Sequence, residues 1–505
     1  MTGKPASDPA AQDNLTDSLN ANLNRLKAVF TYPVSVALTI RHSYVQSMRL
    51  KAAILYLDGA ADTMVIEKQV MEPLHAMNEL HGERHDKAAL MLEELLTSTS
   101  GTVKNTFDEL TKDLLHGYTI ILIEGENRAL SVHTPGFSSR SVSEPQVEHV
   151  LKGPKEAFIE SAAVNRSLIR KQLKDSQLVS EIMQVGDRAL NDITLLYIKD
   201  LADPALIERI KKRISEIEAD IVPNLEILEQ HIEDHPYSLL PTVMLTERPD
   251  RACSFLMEGH IVLLMENSPT SLILPITFWA LFHTPEDQYL RWAYGNFIRI
   301  IRIMAIFVAL LTPSIYIAIS TFHEEMLPTD LLLAIGATRE RVPFPALIEV
   351  LLMEAAFELV REAAIHIPTI IGPTIGIVGA LILGQAAVEA NLVSPILVII
   401  VAMTGISSYT IPELSFNFAV RILRFVILFA AAFMGFFGIA LTFTAFLAYL
   451  VSFTSFGVPF VAPLSPHDRS SKDLIIRPPV WKQWLRPLVM NPQDKRRKNK
   501  PKGKS

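Results

Sequence analysis

Two long stretches without a charged side chain constrain this sequence more than any other feature. No Asp, Glu, Lys or Arg occurs from Ile303 to Phe322 or from Phe425 to His467. A helix needs about 20 mostly apolar residues to cross about 30 Å of hydrocarbon. Stretches of this length are typical of membrane spans, so a wholly water-soluble enzyme is a poor interpretation of the chain.

Four windows in the second half of the chain satisfy this length requirement. The predicted spans are Arg299–Thr321, Gly372–Val388, Leu392–Ile411 and Phe425–Ser452. An even number of spans places both ends of the chain on one side of the membrane. Arg291, Arg299 and Arg302 flank the first span and a basic segment follows the last, so the positive-inside rule places both ends in the cytoplasm.

Two arginines do not fit this topology. Arg421 and Arg424 precede the fourth span and would lie on the outer side. We expect them either to extend toward the lipid headgroups or to pair with Glu413.

Charge is distributed unevenly along the 505 residues, whose net charge is −7. Ser465–Ser505 holds twelve Lys and Arg against three Asp and Glu, a net charge of +9 that leaves −16 for the rest. Beside membrane spans, such a segment is better interpreted as a cytoplasmic anchor near anionic lipid than as a nucleic-acid-binding tail. At the other end, residues 1–30 lack the apolar core of a signal peptide, and we expect a disordered leader there.

The first 300 residues contain a repeated pattern of apolar runs. Ile54–Asp62 and Leu195–Asp203 each read as a buried strand that ends in a turn and an aspartate before a helix. A second pair of strands, Ile120–Ile123 and Ile261–Leu264, shows the same offset of 141 residues. This spacing suggests two tandem α/β subdomains, although chance matches of short apolar runs are common.

The predicted fold class is therefore an α+β membrane protein. A cytoplasmic domain of two α/β subdomains precedes a helical membrane domain of about four spans plus one amphipathic or re-entrant helix. The predicted divisions are a leader (1–30), subdomain 1 (31–134), a linker (135–153), subdomain 2 (154–290), the transmembrane domain (291–464) and a basic cytoplasmic tail (465–505).

The segment 345–364 carries the strongest functional pattern. At about 100° per residue, Glu354, Glu358, Arg361 and Glu362 lie on one arc of a helix about 100° wide. Such a helix either lies flat at the lipid–water boundary or packs with copies of itself so that a ring of carboxylates attracts cations. Arg361 could neutralise one neighbouring carboxylate and so weaken a ring.

Other candidate site residues give weaker signals. Gln385 and Glu389 form an i,i+4 polar pair near the end of the second predicted span, either as pore-lining residues or at the membrane boundary. His81 and His85 offer two metal ligands without a third, so a solvated face is the better interpretation. Cys253 has no obvious partner, which indicates a packed thiol. Phosphate-loop, nucleophile-elbow and HExxH motifs are absent from the sequence, which indicates neither an enzyme nor a cofactor.

Several segments together resemble one family. They are GPKEAFIESAAVNRSLIRKQLKD (153–175), LADPALIERI (201–210), HPYSLLPT (235–242), TERPDRACSFLMEGHIVLLMENSP (246–269), TFHEEMLPTDLLLAIGATRERVPFPALIEVLLMEAAFELVREA (321–363), PTIGIVGALILGQAAVEANLVSPILVIIVAMTGISSY (373–409) and SFGVPFVAPLSP (455–466). The family is that of the GerA-type spore germination proteins, specifically the A subunit of the germinant receptor. The sequence departs from it at Ala364 and His366, where relatives often have Gly and Arg.

This resemblance implies a location and a set of partners. The protein would reside in the inner membrane of a spore, with a B subunit resembling an amino-acid transporter and a C subunit that is a lipoprotein. A nutrient would trigger the complex, and the A subunit would form a homo-oligomeric ion channel whose cation release starts germination. Glu354, Glu358, Arg361, Glu362, Gln385 and Glu389 would then line the pore.

Two other functions remain as alternatives. A secondary transporter would show repeated bundles and broken helices, whereas these spans are uneven. A membrane-anchored scaffold would use the α/β subdomains, for example near Asp62 or Asp203. Those two aspartates are more simply helix N-caps.

Overall fold

The computed structural model describes residues 13–45, 50–76, 93, 95, 101–137, 144–366, 384–467 and 473–497. The chain divides into two compact units. The first comprises Met1–Pro236, Val243–Ile276 and Gln483–Ser505, and the second comprises Tyr237–Thr242 and Thr277–Lys482. His81 and His85 lie outside the described residues.

The first unit begins with a lobe, lobe 1, built on a five-stranded antiparallel sheet. Its strands follow the order β1-β2-β4-β5-β3. They are β1 (Leu38–Val45), β2 (Leu50–Leu57), β3 (Gly101–Lys104), β4 (Tyr118–Ile123) and β5 (Ala129–His133). Its described helices are α1 (Leu19–Val29), α2 (Thr63–Ile66), α3 (Glu72–Ala76) and α4 (Phe107–Leu115), with a π-helical turn at Glu67–Met71. The interior strand β2 is buried along nearly its whole length, as its apolar run predicts.

Lobe 2 of the same unit repeats this plan. Its strands follow the order β6-β7-β9-β10-β8, which is the order of lobe 1 with each strand replaced by its counterpart. They are β6 (Leu178–Val185), β7 (Asn191–Ile198), β8 (Met244–Thr246), β9 (Ile261–Met265) and β10 (Ser271–Leu274). The helices are α5 (Ala162–Gln172), α6 (Pro204–Ser215), α7 (Leu225–Ile232) and α8 (Pro249–Leu256). The four strands expected from the 141-residue spacing are β2, β7, β4 and β9, so that prediction is confirmed.

The repeat extends to individual hydrogen bonds. In lobe 1, Asn22 donates to the Thr16 carbonyl at 2.6 Å and accepts from the Thr16 N–H at 3.0 Å. In lobe 2, Asn165 makes the same two bonds to Ile159, at 2.6 and 2.9 Å. Each asparagine is buried in the first helix of its lobe, where it fixes the chain that enters the helix.

The predicted disordered leader is wrong for the described part of residues 1–30. Helix α1 occupies Leu19–Val29, and the Ser18 hydroxyl accepts a hydrogen bond from the Ala21 N–H. Leu19, Leu23 and Leu26 follow the i, i+4, i+7 spacing of an apolar helix face, and all three are buried in the lobe 1 core. Burial of this face stabilises a helix that composition alone did not predict.

The second unit is mostly helical. Its helices are α9 (Glu286–Tyr289), α10 (Trp292–Phe322), α11 (Thr329–Arg339), α12 (Ala346–His366), α13 (Pro395–Ser408) and α14 (Leu414–Ser452), with a two-stranded ribbon of β11 (Thr454–Ser455) and β12 (Val458–Pro459). The predicted boundary after residue 290 lies too late, because the ring of Phe278 packs on Phe416 and Phe460 in this unit. The predicted tail is also divided, since residues 473–482 belong here and residues 483–497 belong to the first unit.

Among the described residues, two helices are long and apolar enough to cross a membrane. They are α10 and α14, which contain the first and fourth predicted spans. The third predicted span corresponds to α13, which has 14 residues and is shorter than that criterion. Most of the second predicted span lies outside the described residues.

Helix α14 folds back on itself. Gly435 has φ 59° and ψ −139°, which no α-helix contains. A side chain at Gly438 would collide with the carbonyl oxygen of Ala430, whereas residues eight positions apart on one straight helix are about 12 Å apart. Residues 414–434 and 436–452 therefore form a helical hairpin, each half of which spans about 25–30 Å.

Candidate functional site: a buried charge cluster among apolar helices

Helix α12 buries charged as well as apolar side chains. Glu354 is 1% exposed and Arg361 is buried, whereas Leu359 is 71% exposed. The interpretation in which this helix lies flat with its charges in water does not fit this burial. Instead, Val350 and Met353 pack in an apolar core with Leu397 of α13.

Two arginines of α14 hold the carboxylates of α12. Arg424 Nη2 lies 2.8 Å from Glu354 Oε2 and 3.0 Å from Glu358 Oε1. Arg421 binds Glu358 with two donors, through Nε at 3.2 Å to Oε1 and through Nη2 to Oε2. These two arginines therefore pair with the acidic stripe of α12, and the carboxylate of Glu413 accepts from the Phe416 N–H at the start of α14.

Arg361 connects this group to α13. Its Nη2 donates to Ser408 Oγ at 3.0 Å, and its Nη1 lies 3.6 Å from Glu358 Oε1. The guanidinium also stands over the rings of Phe357 and Tyr409, at about 5 Å from each centroid. Planar stacking of this kind stabilises an arginine that has little contact with water.

We call Glu354, Glu358, Arg361, Arg421 and Arg424 the charge cluster. It combines two carboxylates with three guanidinium groups, so its formal charge is positive rather than negative. Glu354 Oε1 and Arg424 Nε have no hydrogen-bond partner among the described residues. Because buried polar atoms are normally satisfied, the cluster has unused capacity to bind water or an ion.

The other predicted site residues lie at the surface. Glu362, the third acid of the stripe, is exposed on the next turn of α12. Gln385 Nε2 donates to Glu389 Oε1 at 2.9 Å on the helical segment 384–389, and both side chains are exposed. The structure thus brings Glu354, Glu358 and Arg361 together with arginines of α14, and it places Gln385 and Glu389 in a separate exposed pair.

Glu349 is a buried acid that the sequence reasoning did not select. It lies off the acidic stripe and is fully buried, and its Oε1 accepts a hydrogen bond of 2.5 Å from the Ser394 N–H at the start of α13. A carboxylate is stabilised at a helix N-terminus by free N–H groups and the helix dipole. The sequence signal for Glu349 is the helix start at Ser394-Pro395, because the first N–H groups of a helix lack partners within the helix and can bind a carboxylate.

A second buried charge group lies at the start of α10. Arg299 binds Asp287 at 3.3 Å and Asp473 at 2.6 Å, and Arg302 binds Asp287 at 3.1 Å. Burial raises the pKa of Asp287, but the charges and hydrogen bonds of the two arginines outweigh this effect, so its pKa lies below the ordinary value. Arg299 and Arg302, which the topology prediction used as flanking cations, are therefore internal ion-pair partners.

Comparisons with known proteins identify the family. The family model for the Bacillus/Clostridium GerA spore germination protein matches residues 24–489. Spore germination protein KA of Bacillus subtilis (strain 168) is 37% identical over 452 residues, which cover 89% of this chain and 82% of that protein. Spore germination protein GerLA of Bacillus cereus is 34% identical, with 90% and 93% covered.

Two further similarities were found. A B. subtilis protein described as the uncharacterized membrane protein YfkQ is 38% identical and covers 86% of this chain and 84% of its own length. The crystal structure of the N-terminal domain of the A subunit of the Bacillus megaterium spore germinant receptor GerK3 is 27% identical. It covers 52% of this chain and 97% of that domain, with a TM-score of 0.41. From the family match and the curated relatives, this chain belongs to the GerA family of spore germination proteins.

Proposed function

We propose that this protein is the A subunit of a nutrient-responsive germination receptor in the inner membrane of a spore. Membership of the GerA family and the two long apolar helices support this proposal. The burial pattern supports it further, because Arg424 and Thr404 are buried while Phe433 is 75% exposed. Apolar residues outside and polar residues inside are the arrangement expected for helices in lipid.

The membrane topology in this proposal has both ends of the chain in the cytoplasm. Residues 483–497 belong to the same compact unit as lobes 1 and 2, which supports this arrangement because that unit then lies on one side of the membrane. A B subunit resembling a transporter and a lipoprotein C subunit complete the receptor, and the nutrient acts through the complex. Several copies of the A subunit then surround an ion-conducting pore.

The charge cluster is the gate in this mechanism. While Arg421 and Arg424 hold Glu354 and Glu358, the carboxylates are neutralised and a cation gains little by approaching them. Nutrient binding in a partner favours a state in which α12 and α14 separate, so that the freed carboxylates face the pore and attract cations. The main observation in support of this proposal is that Arg421 and Arg424 of α14 both bind Glu358.

Planar bilayer recording of the purified protein, with and without its partner subunits, tests the mechanism. Arg421→Gln releases one side of Glu358, so we expect more conductance without nutrient. Glu358→Gln removes a pore carboxylate, so we expect lower cation conductance and weaker selectivity over chloride. Glu208→Gln is the control, because Glu208 is an exposed acid on α6 of lobe 2 and is not among the residues predicted to line the pore.

Two results would contradict the proposal. If Arg421→Gln and Glu358→Gln both conduct like the unmodified receptor, the charge cluster has no part in conduction. If nutrient-dependent current is absent from a complex that is correctly assembled, the channel function itself is wrong.

A further inference from the structure

Residues 483–497 return to the first unit and pack on lobe 2. The Gln493 N–H donates to the Leu201 carbonyl at 3.1 Å, and its side-chain amide donates to the carbonyls of Lys199 and Ala202 at 3.1 and 2.9 Å. Asn491 Nδ2 binds Asp203 Oδ2 at 3.2 Å. The segment therefore covers the turn between β7 and α6.

A buried arginine fixes the shape of this segment. Arg486 is buried and donates to the Met257 carbonyl at 3.0 Å, and it also binds the Asp494 side chain at 2.8 Å and the Arg496 carbonyl at 2.7 Å. Arg497 pairs with Glu258 at the far end. Residues 486–497 thus form a closed loop, which we call the strap, with attachment points on two turns of lobe 2.

The repeat explains what the strap replaces. In lobe 1, the chain continues past β5 and the Gly136 N–H donates to the Ala60 carbonyl at 2.8 Å, while Pro135 lies beside Gly117. The counterpart of Ala60 in lobe 2 is Leu201, by the offset of 141. The strap supplies the equivalent bond from Gln493.

Proline and glycine repeat in the same way. Gly259 lies beside the Leu201 carbonyl as Gly117 lies beside that of Ala60, one position beyond the 141-residue offset, and their φ angles are +93° and +84°. A Cβ atom on Gly259 would lie 3.7 Å from Cβ of Pro492, which is buried. Pro492-Gln493 in the strap therefore stands where Pro135-Gly136 stands in lobe 1.

The path of the chain explains why the strap, and not the segment directly after β10, closes lobe 2. After β5 the chain stays in the first unit, and it can close lobe 1 directly. After β10 the chain leaves the first unit at Ile276 and returns only at Gln483. Lobe 2 is therefore left without its own closing segment until the chain has passed through the second unit.

We propose that the turns 199–203 and 257–260 of lobe 2 form a docking groove for the strap, and that the strap is a separable segment rather than an integral part of the lobe. Its recognition is that of an extended peptide, with main-chain hydrogen bonds for affinity and a buried proline for position. Strap binding joins both ends of the chain segment 277–482 to one lobe, and strap release frees one of them.

Chemical cross-linking in the full chain tests the docking position. In a Cys253→Ala background, which removes the chain's one cysteine, Asp203→Cys and Asn491→Cys are joined by a short bismaleimide. The matched control pairs Asn491→Cys with Asp62→Cys, which replaces the equivalent N-cap of lobe 1. We expect about tenfold more intramolecular product from the first pair, because docking raises the local concentration of the two thiols. Equal yields, or no product from the first pair, would overturn the proposal.

A synthetic peptide tests separability. The full chain carrying Cys253→Ala and Asp203→Cys is mixed with a peptide of residues 483–497 that carries Asn491→Cys and has to displace the chain's own strap. We expect saturable cross-linking that an excess of unmodified peptide suppresses. A competitor with Gln493→Pro lacks the N–H that binds Leu201 and the side-chain amide that binds Lys199 and Ala202. We expect it to compete at least tenfold less well, because each such hydrogen bond is worth about 1–1.5 kcal/mol.

The same substitution in the chain's own strap gives an independent check on the docking contact. Gln493→Pro there should lower the intramolecular cross-link yield by a similar factor. If the intramolecular pair links and the peptide does not, the strap is a fixed part of lobe 2 and the docking proposal is wrong.

Discussion

Replacing Arg424 by methionine should destabilise the second unit strongly. Arg424 and Glu354 are each about 1% exposed, and they form an ion pair of 2.8 Å. Among the described residues, Glu354 makes no other ion pair. Removing one partner of a buried pair leaves an uncompensated charge and typically costs about 3–5 kcal/mol. We therefore expect Arg424→Met to lower the free energy of unfolding by about that amount.

Replacing the other partner, Glu354, should lower the free energy of unfolding by less, because Arg424 has a second carboxylate to bind. In Glu354→Leu, Arg424 keeps its contact of 3.0 Å with Glu358. We expect a loss of about 1–2 kcal/mol for this variant. In the double variant Glu354→Leu/Arg424→Met no charge is left unpaired at this position, since Arg421 still binds Glu358 through two donors. Its stability should therefore resemble that of Glu354→Leu, which corresponds to a coupling energy of about 3–5 kcal/mol, the full loss expected for Arg424→Met alone.

Equilibrium unfolding of the protein in mixed micelles, followed by circular dichroism during titration with a denaturing detergent, measures these differences. Glu389→Gln is the control for stability, because Glu389 is an exposed acid whose loss should change stability by less than about 0.5 kcal/mol. The reasoning is refuted if the two single variants are equally destabilised, or if the double variant shows the sum of both losses.

Three further predictions concern other parts of the chain. Gly435→Ala should lower the free energy of unfolding by about 1–3 kcal/mol, because alanine is strained at φ 59° and its Cβ would lie 3.0 Å from His323 Nε2. Gly336→Ala is the control, and it should be neutral or stabilising because the space around Gly336 is open. Burial holds the pKa of His260 at about 4, against about 6.5 when unfolded, so lobe 2 should lose on the order of 3 kcal/mol as pH falls from 6.5 to 4, and hydrogen exchange of β9 should show a flatter profile in His260→Gln. Burial raises the pKa of Cys253 to about 12, so iodoacetamide at pH 8 should modify it about 100-fold more slowly in the folded chain than in urea; a rate ratio near one would contradict its burial.

The strands of the first unit could be predicted from sequence because their signal is local. Apolar runs such as Ile120–Ile123 give buried strands, and the aspartates that follow β2 and β7 give helix caps. Asp62 accepts from the Met64 N–H at 2.8 Å, and Asp203 accepts from the Ala205 N–H at 3.0 Å. The interpretation of both as N-caps is therefore confirmed.

Features that depend on distant contacts could not be predicted. The sequence predicts one span at Phe425–Ser452, because its composition stays apolar on both sides of Gly435 and glycine is common in membrane helices. The left-handed φ of Gly435 and the approach of Gly438 to Ala430 bend the chain back there. The strap was likewise interpreted as part of a basic anchor, because its contacts with lobe 2 lie nearly 300 residues away in sequence.

The partners of the acidic stripe were nevertheless recoverable in principle. A carboxylate in an apolar helix is stable only if a cation or a hydrogen-bond donor reaches it. Arg421 and Arg424 stood out as the arginines that the topology prediction could not place. A cation that violates the positive-inside rule and an acid without a local partner are two signs of the same requirement, and pairing them leads to Glu354 and Glu358. Arg299 and Arg302 meet the same requirement at the start of α10, where they pair with Asp287 and Asp473.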